Sequence, residues 1–385
     1  MAHCNTIIAQ MLKLIPRHHF SSLEEQYGTG RAARSFSRWD QFVHLLFMQL
    51  TGRVSLRDGI AGLKARVRSL YHLGVQAVAR SSFADANNRR SAAFFEALFG
   101  RFYQRCQLVS PRHRFKFNNK LYSLDATVVQ LCLSLFPWAS FRRTKGAVKI
   151  HTLLDHDSYL PAFVTITEGR RHEAKAAHLP RLPKGSIVLV DRAYTDYAWF
   201  HTLKQSGLFF VIRQKSNAVY QVKEQRAVPP RSGVTADQLI SLTGPKAASY
   251  PYLLRRVCYT DLKTGKKYVY LTNNFRLSPR TIADIYKERW QIEIFFRWIK
   301  HNLKIKAFIG NSANAVMTQI YVALIAYLLI CYFKFLSGVN IGLQKLFRLL
   351  QLNLFRKCSL QEIVFPDKQF IKLANNYNQL PLIIA

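Results

Sequence analysis

The reading of this chain turns on residues 279–303, PRTIADIYKERWQIEIFFRWIKHNL. Ser278-Pro279 in front of it is a helix start, an N-cap serine followed by proline at the first helical position. At ~100° per residue, Tyr286, Arg289, Glu293, Arg297 and Lys300 fall within an arc of roughly 80°. Ile285, Ile292, Phe296, Ile299 and Leu303 form an apolar stripe beside them. One face of this helix is therefore expected to pack on a sheet, while its neighbour presents a single glutamate among cations and a tyrosine. An ordinary i, i+4 Glu–Arg pair also satisfies such a carboxylate, so the helix alone leaves pairing and metal binding both open.

Upstream, the chain from about Phe117 reads as strands. Lys120–Gln130 (KLYSLDATVVQ), Val148–Asp155 (VKIHTLLD) and Leu160–Thr167 (LPAFVTIT) are β-rich, and the last two read as an antiparallel hairpin across His156-Asp157-Ser158. A helix-compatible stretch at Glu173–His178 follows, then Ser186–Val190 (SIVLV), a probe for a buried parallel strand because it is continuously apolar. Thr195–Gln205 is expected as a helix and Leu208–Ile212 (LFFVI) as another buried strand. Residues 214–276, with strand-like pieces at Ala218–Val222, Leu254–Tyr259 and Lys267–Leu271, read as a β-rich insertion.

Two acids stand out against these strands. Asp125 lies inside an otherwise apolar strand, where an ionised group costs several kcal/mol unless paired or metal-bound. Asp191 follows SIVLV directly, at the carboxyl end of a buried strand where α/β folds place ligands. Turn and capping roles account for either residue taken singly.

The flanks are helical. Residues 1–115 are basic, with helices expected over Trp39–Leu50, ended by Thr51-Gly52, over Ser55–Leu63, and after an N-cap pair at Ser81-Ser82. They read equally as a small DNA-binding module or as a plain helical bundle. Residues 310–385 are helical and apolar, suited to supporting the core helix, to dimerising, or to both. Their run Ile320–Phe333 is too short to span a bilayer and reads as a buried core helix, so no membrane association is expected. Across all 385 residues, 56 Lys and Arg face 21 Asp and Glu, a formal charge of +35 that a polyanion such as DNA or RNA would relieve by counterion release. Nearly half the residues are hydrophobic, which excludes a disordered tail protein. The six scattered cysteines form no CxxC pair, which argues against a zinc ribbon or disulfide framework and fits a reducing cytoplasm. There is no P-loop, GxGxxG signature or GxSxG elbow.

The spacing Tyr286-x2-Arg289-x3-Glu293-x6-Lys300 resembles the Y-R-E-K signature of bacterial insertion-sequence DDE transposases, cut-and-paste enzymes with an RNase H-like core. Asp125 in LYSLDAT and Asp191 in VLVDRAY resemble that family's first and second catalytic aspartates, and LCLSLFPWASFRRTKGAVKIHTLLD resembles the segment that follows the first. Ala193 departs from the glycine many relatives carry two residues after the second aspartate. The resemblance implies an α/β RNase H-like mixed sheet over 116–309 with the 214–276 insertion, a helical N-terminal DNA-binding domain over 1–115 and a helical C-terminal region over 310–385. It implies that Asp125, Asp191 and Glu293 are catalytic and hold Mg²⁺ or Mn²⁺, two ions in all, an arrangement suited to in-line displacement at phosphorus. Tyr286, Arg289 and Lys300, with Arg297, would hold DNA phosphates. The implied partners are double-stranded DNA, at inverted-repeat ends and target, and a second copy in a homodimer.

Other motifs have plainer readings beside the functional one. Arg142, Arg143, Lys145 and Lys149 read as a DNA-tracking stretch or as a solvated basic loop. Phe136-Pro137-Trp138 reads as core packing before DNA insertion. His172-Glu173 and His178 lack HExxH spacing, Asp155 and Asp157 suit a turn, and Asp196 and Glu288 read as surface acids. Two rival functions share the sequence features: a non-catalytic DNA-binding relative and a structure-selective nuclease on the same fold.

Overall fold

A computed structural model describes residues 5–28, 36–142, 145–168, 179–245, 247–305 and 307–365, with backbone alone at 140–142, 145 and 168. The expected helix at 173–178, His172 and Arg143 lie outside the described residues, as do the side chains of Arg142 and Lys145.

Among the described residues seven helices come first: α1 Ile7–Lys13, α2 Arg17–Tyr27, α3 Arg38–Thr51, α4 Leu56–Lys64, α5 Val67–Leu73, α6 Arg80–Arg89 and α7 Ala93–Gln107. The start and stop of α3 are written in its ends. Ser37 and Asp40 form a reciprocal capping box, and Gly52 closes the helix in the left-handed region at φ 67°. Ser81 and Ser82 do not cap the next helix as expected; they sit inside the first turn of α6, whose N-cap is Ala79. What reads in sequence as one long helix is two, because the chain turns extended at Arg90 before α7 begins. The side chain of Asn314, 222 residues further on, bonds the Ala92 N–H at 2.9 Å and takes up a donor that the break would leave open.

The middle of the chain builds one sheet. Its strands are β1 Leu121–Leu131, β2 Ser140–Arg142, β3 Lys145–Asp155, β4 Leu160–Glu168, β5 Ile187–Val190, β6 Phe209–Arg213, β7 Tyr220–Arg226, β8 Val234–Leu242, β9 Leu254–Thr260 and β10 Lys267–Thr272. The path runs β2-β3-β1-β5-β6-β10-β9-β8-β7, with β4 on β3. β1, β5 and β6 are parallel neighbours, and every other pairing is antiparallel. The strands of 214–276 thus continue the central sheet through β10 against β6.

β8 is a strand that the sequence pattern conceals. It lies outside the strand-like pieces read within 214–276, and its Asp237 is buried and meets the equally buried Arg255 of β9 through two contacts of 2.8 Å. Arg255 spends another nitrogen on the Leu277 carbonyl at 2.6 Å.

Helices cover both faces of the parallel strands. On one face, α8 Tyr197–Gln205 brings Phe200 and Leu203 onto Leu124, Val188, Val190, Phe210 and Ile212. On the other, α9 Pro279–Glu288 lays Ile282, Ala283 and Ile285 on Leu121, Ile187, Leu189 and Val211. The alternation of side chains along each strand makes this two-faced burial possible. α10 Trp290–Asn302 follows α9 almost directly. Then α11 Ala313–Ser337, α12 Leu343–Leu352 and α13 Leu360–Val364 close the described chain.

α11 is 25 residues long and apolar enough to cross a membrane, but it is buried over nearly its whole length, the Ile320–Phe333 run included. It is apolar all round because protein surrounds it. It shares one continuous core with α1, α3, α7, α10, α12 and strands β3 and β4.

Candidate active site

The sheet register places the two strand acids side by side. Leu124 of β1 pairs with Val190 of the parallel β5, so Asp125 and Asp191 follow as neighbours. Val190 in turn pairs with Ile212 of β6, so Arg213 continues the same row. Successive residues of a strand point to opposite faces, and Asp125 and Asp191 share the parity of Leu121, Ile187 and Leu189, the face that α9 covers.

The signature helix is not continuous. α9 ends at Glu288 and α10 starts at Trp290. At the joint the Arg289 N–H bonds the Tyr286 carbonyl and the Ile292 N–H bonds the Arg289 carbonyl, both tighter i→i−3 contacts. The expected apolar stripe survives the joint: Ile285, Ile292, Phe296, Ile299 and Leu303 are all buried.

Glu293, in the first turn of α10, reaches the strand acids through an arginine. Arg289 donates from Nη1 to Asp125 Oδ2 at 2.8 Å and from Nη2 to Glu293 Oε1 at 2.7 Å. Its side chain is 15% exposed, against 20% for Asp125 and 33% for Glu293. Burial pushes the Asp125 carboxyl up to about 6 from its ordinary 3.8; the Ala126 N–H and Arg289 pull it down, and Asp191 and Glu293 push it up. Burial pulls the Arg289 guanidinium down, and Tyr286, Asp125 and Glu293 more than reverse that, so it stays firmly charged. Asp191 caps a short 3₁₀ turn over Arg192–Tyr194, accepting the Ala193 N–H at 3.3 Å. Ala193 is not among the residues of positive φ, so this turn does not require a glycine.

The remaining signature residues lie around this pair of acids. Tyr286 packs on Tyr270 with ring centroids 4.8 Å apart. Burial and the nearby Asp191 push its phenol up to about 12 against the pull of Arg289 and Arg213. Lys300 bonds the Val128 carbonyl of β1 at 2.9 Å, three residues along the strand from Asp125. Arg297 is exposed. Arg213 is the residue that sequence reading missed. Its signal was available, since it follows LFFVI as Asp191 follows SIVLV.

Among the described residues no group of three or more His, Cys, Asp or Glu is gathered closely enough to hold a metal ion as it stands. The donor chemistry nonetheless suits a hard divalent cation: three carboxylates, one raised chiefly by burial and further by the other two, with the Arg289 guanidinium lying between two of them. Arg289 occupies one oxygen of Asp125 and one of Glu293.

Several acids read in sequence as surface or turn residues have other work. Glu288 is buried and accepts from Arg114 and from the Tyr159 hydroxyl, the latter at 3.0 Å. Asp196 is half-buried and caps α8 through the Ala198 and Trp199 N–H groups. Asp155 does serve the turn, accepting the Asp157 N–H at 2.9 Å, and in addition both acids are buried and share Lys120, with Asp155 also accepting from the Tyr103 hydroxyl at 2.9 Å. Phe136 packs inward against Phe308, and the Trp138 indole bonds the Asn311 carbonyl at 2.7 Å, which is the packing role expected of this stretch.

The sheet thus carries Asp125 on β1 and Asp191 just past the end of β5, with Glu293 of α10 tied to Asp125 through Arg289. Residues 117–329 match the family described as Transposase DDE domain, and the chain belongs to the DDE transposases of bacterial insertion sequences. Residues 3–76 match a Domain of unknown function (DUF4372). A putative transposase, y4zB, of Sinorhizobium fredii is 33% identical over 251 residues, covering 64% of this chain and 69% of its own. The probable transposase for insertion sequence element IS5377 of Geobacillus stearothermophilus is 28% identical over 322 residues, covering 83% and 82%. A cryo-EM structure of a piggyBac transposase synaptic complex with hairpin DNA aligns with 94% of this chain and 80% of its own, at 12% identity and a TM-score of 0.44.

Proposed function

We propose that this transposase binds the inverted-repeat ends of its own element and carries out metal-dependent DNA cleavage and strand transfer at Asp125, Asp191 and Glu293. The observation that carries the reading is the register pairing of Leu124 with Val190, which makes the two aspartates neighbours, together with the Arg289 bridge that ties Glu293 to Asp125. The strand order β4-β3-β1-β5-β6, with three parallel neighbours and an antiparallel flank, supports the RNase H-like reading of the core.

Asp125, Asp191 and Glu293 are the residues that would hold Mg²⁺ or Mn²⁺. Bound there, two such ions would supply a Lewis acid for the attacking and leaving oxygens of an in-line displacement. The chain's own groups then act on the DNA. Arg289 has a fork that fits a phosphate as well as a carboxylate, Lys300 and Arg213 add point and planar charge, and Tyr286 offers a protonated hydroxyl from a rigid packed ring. The +35 formal charge supports backbone binding along the duplex, with the N-terminal helices as its DNA-binding domain and a homodimer bridging two ends. The setting is the bacterial cytoplasm, in keeping with cysteines that form no disulfide among the described residues.

The test is a pre-cut end duplex incubated with plasmid and Mg²⁺. Joined product supports the transposase reading, cutting without joining supports a nuclease, and a gel shift with neither supports a binding protein. Glu293→Ala is expected to abolish joining while leaving the gel shift in place; joining at the wild-type rate would remove Glu293 from the site.

A further inference from the structure

Arg289 sits between two of the three proposed metal ligands. One guanidinium nitrogen is 2.8 Å from Asp125 Oδ2 and another 2.7 Å from Glu293 Oε1, at a site where all three side chains are largely shielded from water. A divalent cation shared by these carboxylates competes for the negative charge that Arg289 already neutralises, and a fixed positive charge beside them repels it. The arginine is therefore a competitor of the metal as well as a counter-ion. It also has an alternative partner of its own, because the planar fork that bridges two carboxylates binds a phosphodiester equally well. Arg213, which continues the row of Asp125 and Asp191, adds a second cation where a phosphate would be drawn in.

We propose that Arg289 is a latch on the carboxylate site: without DNA it clamps Asp125 to Glu293 against metal, and a DNA phosphate draws it away, so that DNA and divalent metal bind cooperatively. This rests on the reading of Asp125, Asp191 and Glu293 as metal ligands. Thermodynamic linkage requires the effect to be mutual, with metal tightening DNA binding by the factor by which DNA tightens metal binding. The consequence is a site that loads its metal only when DNA is present.

The test titrates Mn²⁺ into the full chain without DNA and follows free Mn²⁺ by electron paramagnetic resonance. Arg289→Gln, which removes the charge and the fork, is expected to bind Mn²⁺ about tenfold or more tightly than wild type. Arg289→Lys, which keeps the charge without the bridge, is expected to fall between them, roughly threefold tighter. It carries the comparison should the glutamine variant fail to give a cooperative melting transition. Adding a duplex with the element's terminal repeat is expected to tighten Mn²⁺ binding by the wild type and to do little for Arg289→Gln. Equal or weaker Mn²⁺ binding by both arginine variants in the absence of DNA, or an equal DNA enhancement in wild type and variant, overturns the latch. Asp125→Asn separates this from the underlying reading. If it abolishes Mn²⁺ binding while the arginine variants gain nothing, the latch alone fails; if it leaves Mn²⁺ binding unchanged, the metal-ligand reading falls and the latch with it.

Discussion

In metal-free protein, Asp125→Asn is expected to raise stability at neutral and alkaline pH while destroying joining. Folding takes this carboxyl from an ordinary 3.8 to about 6, chiefly by burial. The protonated form is thus favoured in the folded state. The stability associated with it is complete below about 3.8, declines as pH rises, and is gone above about 6, where the charged form must be held folded. At about 1.4 kcal/mol per pH unit, the interval from 3.8 to about 6 corresponds to roughly 3 kcal/mol. With an unfolding entropy of about 2.1 cal/mol/K per residue over 385 residues, that is an upward shift of about 4 °C in Tm. Differential scanning calorimetry in EDTA at pH 4, 6 and 8 reads it directly. The variant and wild type should melt together at the acid end and separate progressively as pH rises. In the presence of a duplex carrying the element's terminal repeat, Mg²⁺ should then raise the wild-type Tm and leave the variant's unchanged. A variant that melts below wild type at pH 8 would refute the reasoning, since it would mean that the Arg289 contact outweighs the cost of burying the charge.

Two further outcomes follow from the geometry. Asp237→Leu leaves the guanidinium of Arg255 buried without its carboxylate, and denaturant unfolding should show a loss of about 3–5 kcal/mol, most of it recovered when Arg255→Met is added. Arg213→Gln removes the cation that continues the row of Asp125 and Asp191, and should lower strand joining about tenfold, the equivalent of ~1.4 kcal/mol, with Tm unchanged.

Much of the fold was legible where one physical cause dominates a segment. SIVLV and LFFVI are apolar on both faces because helices cover both faces of the parallel strands, and they became β5 and β6. α11 is apolar all round, and it became the helix that the N- and C-terminal parts share. The acids Asp125 and Asp191 were conspicuous because each breaks or ends such a run. Illegible features depend on partners distant in sequence. Glu288 looks like one more surface acid until Tyr159 and Arg114, 129 and 174 residues away, fold over it. Asp237 of β8 draws no reading of its own until Arg255 answers it across β8 and β9. The hold of Arg289 on Asp125 spans 164 residues, and helical spacing shows only its i, i+4 contact with Glu293. Boundaries set by tertiary contacts, such as the breaks at Arg90 and Arg289, were likewise beyond periodicity.

Anomalous scattering from crystals of the DNA complex soaked in Mn²⁺ addresses the central claim most directly. The account predicts manganese peaks lying among the carboxylates of Asp125, Asp191 and Glu293, with Arg289 turned from both acids toward a phosphate. Manganese bound elsewhere, with Arg289 still bridging Asp125 and Glu293 beside the scissile phosphate, would contradict it.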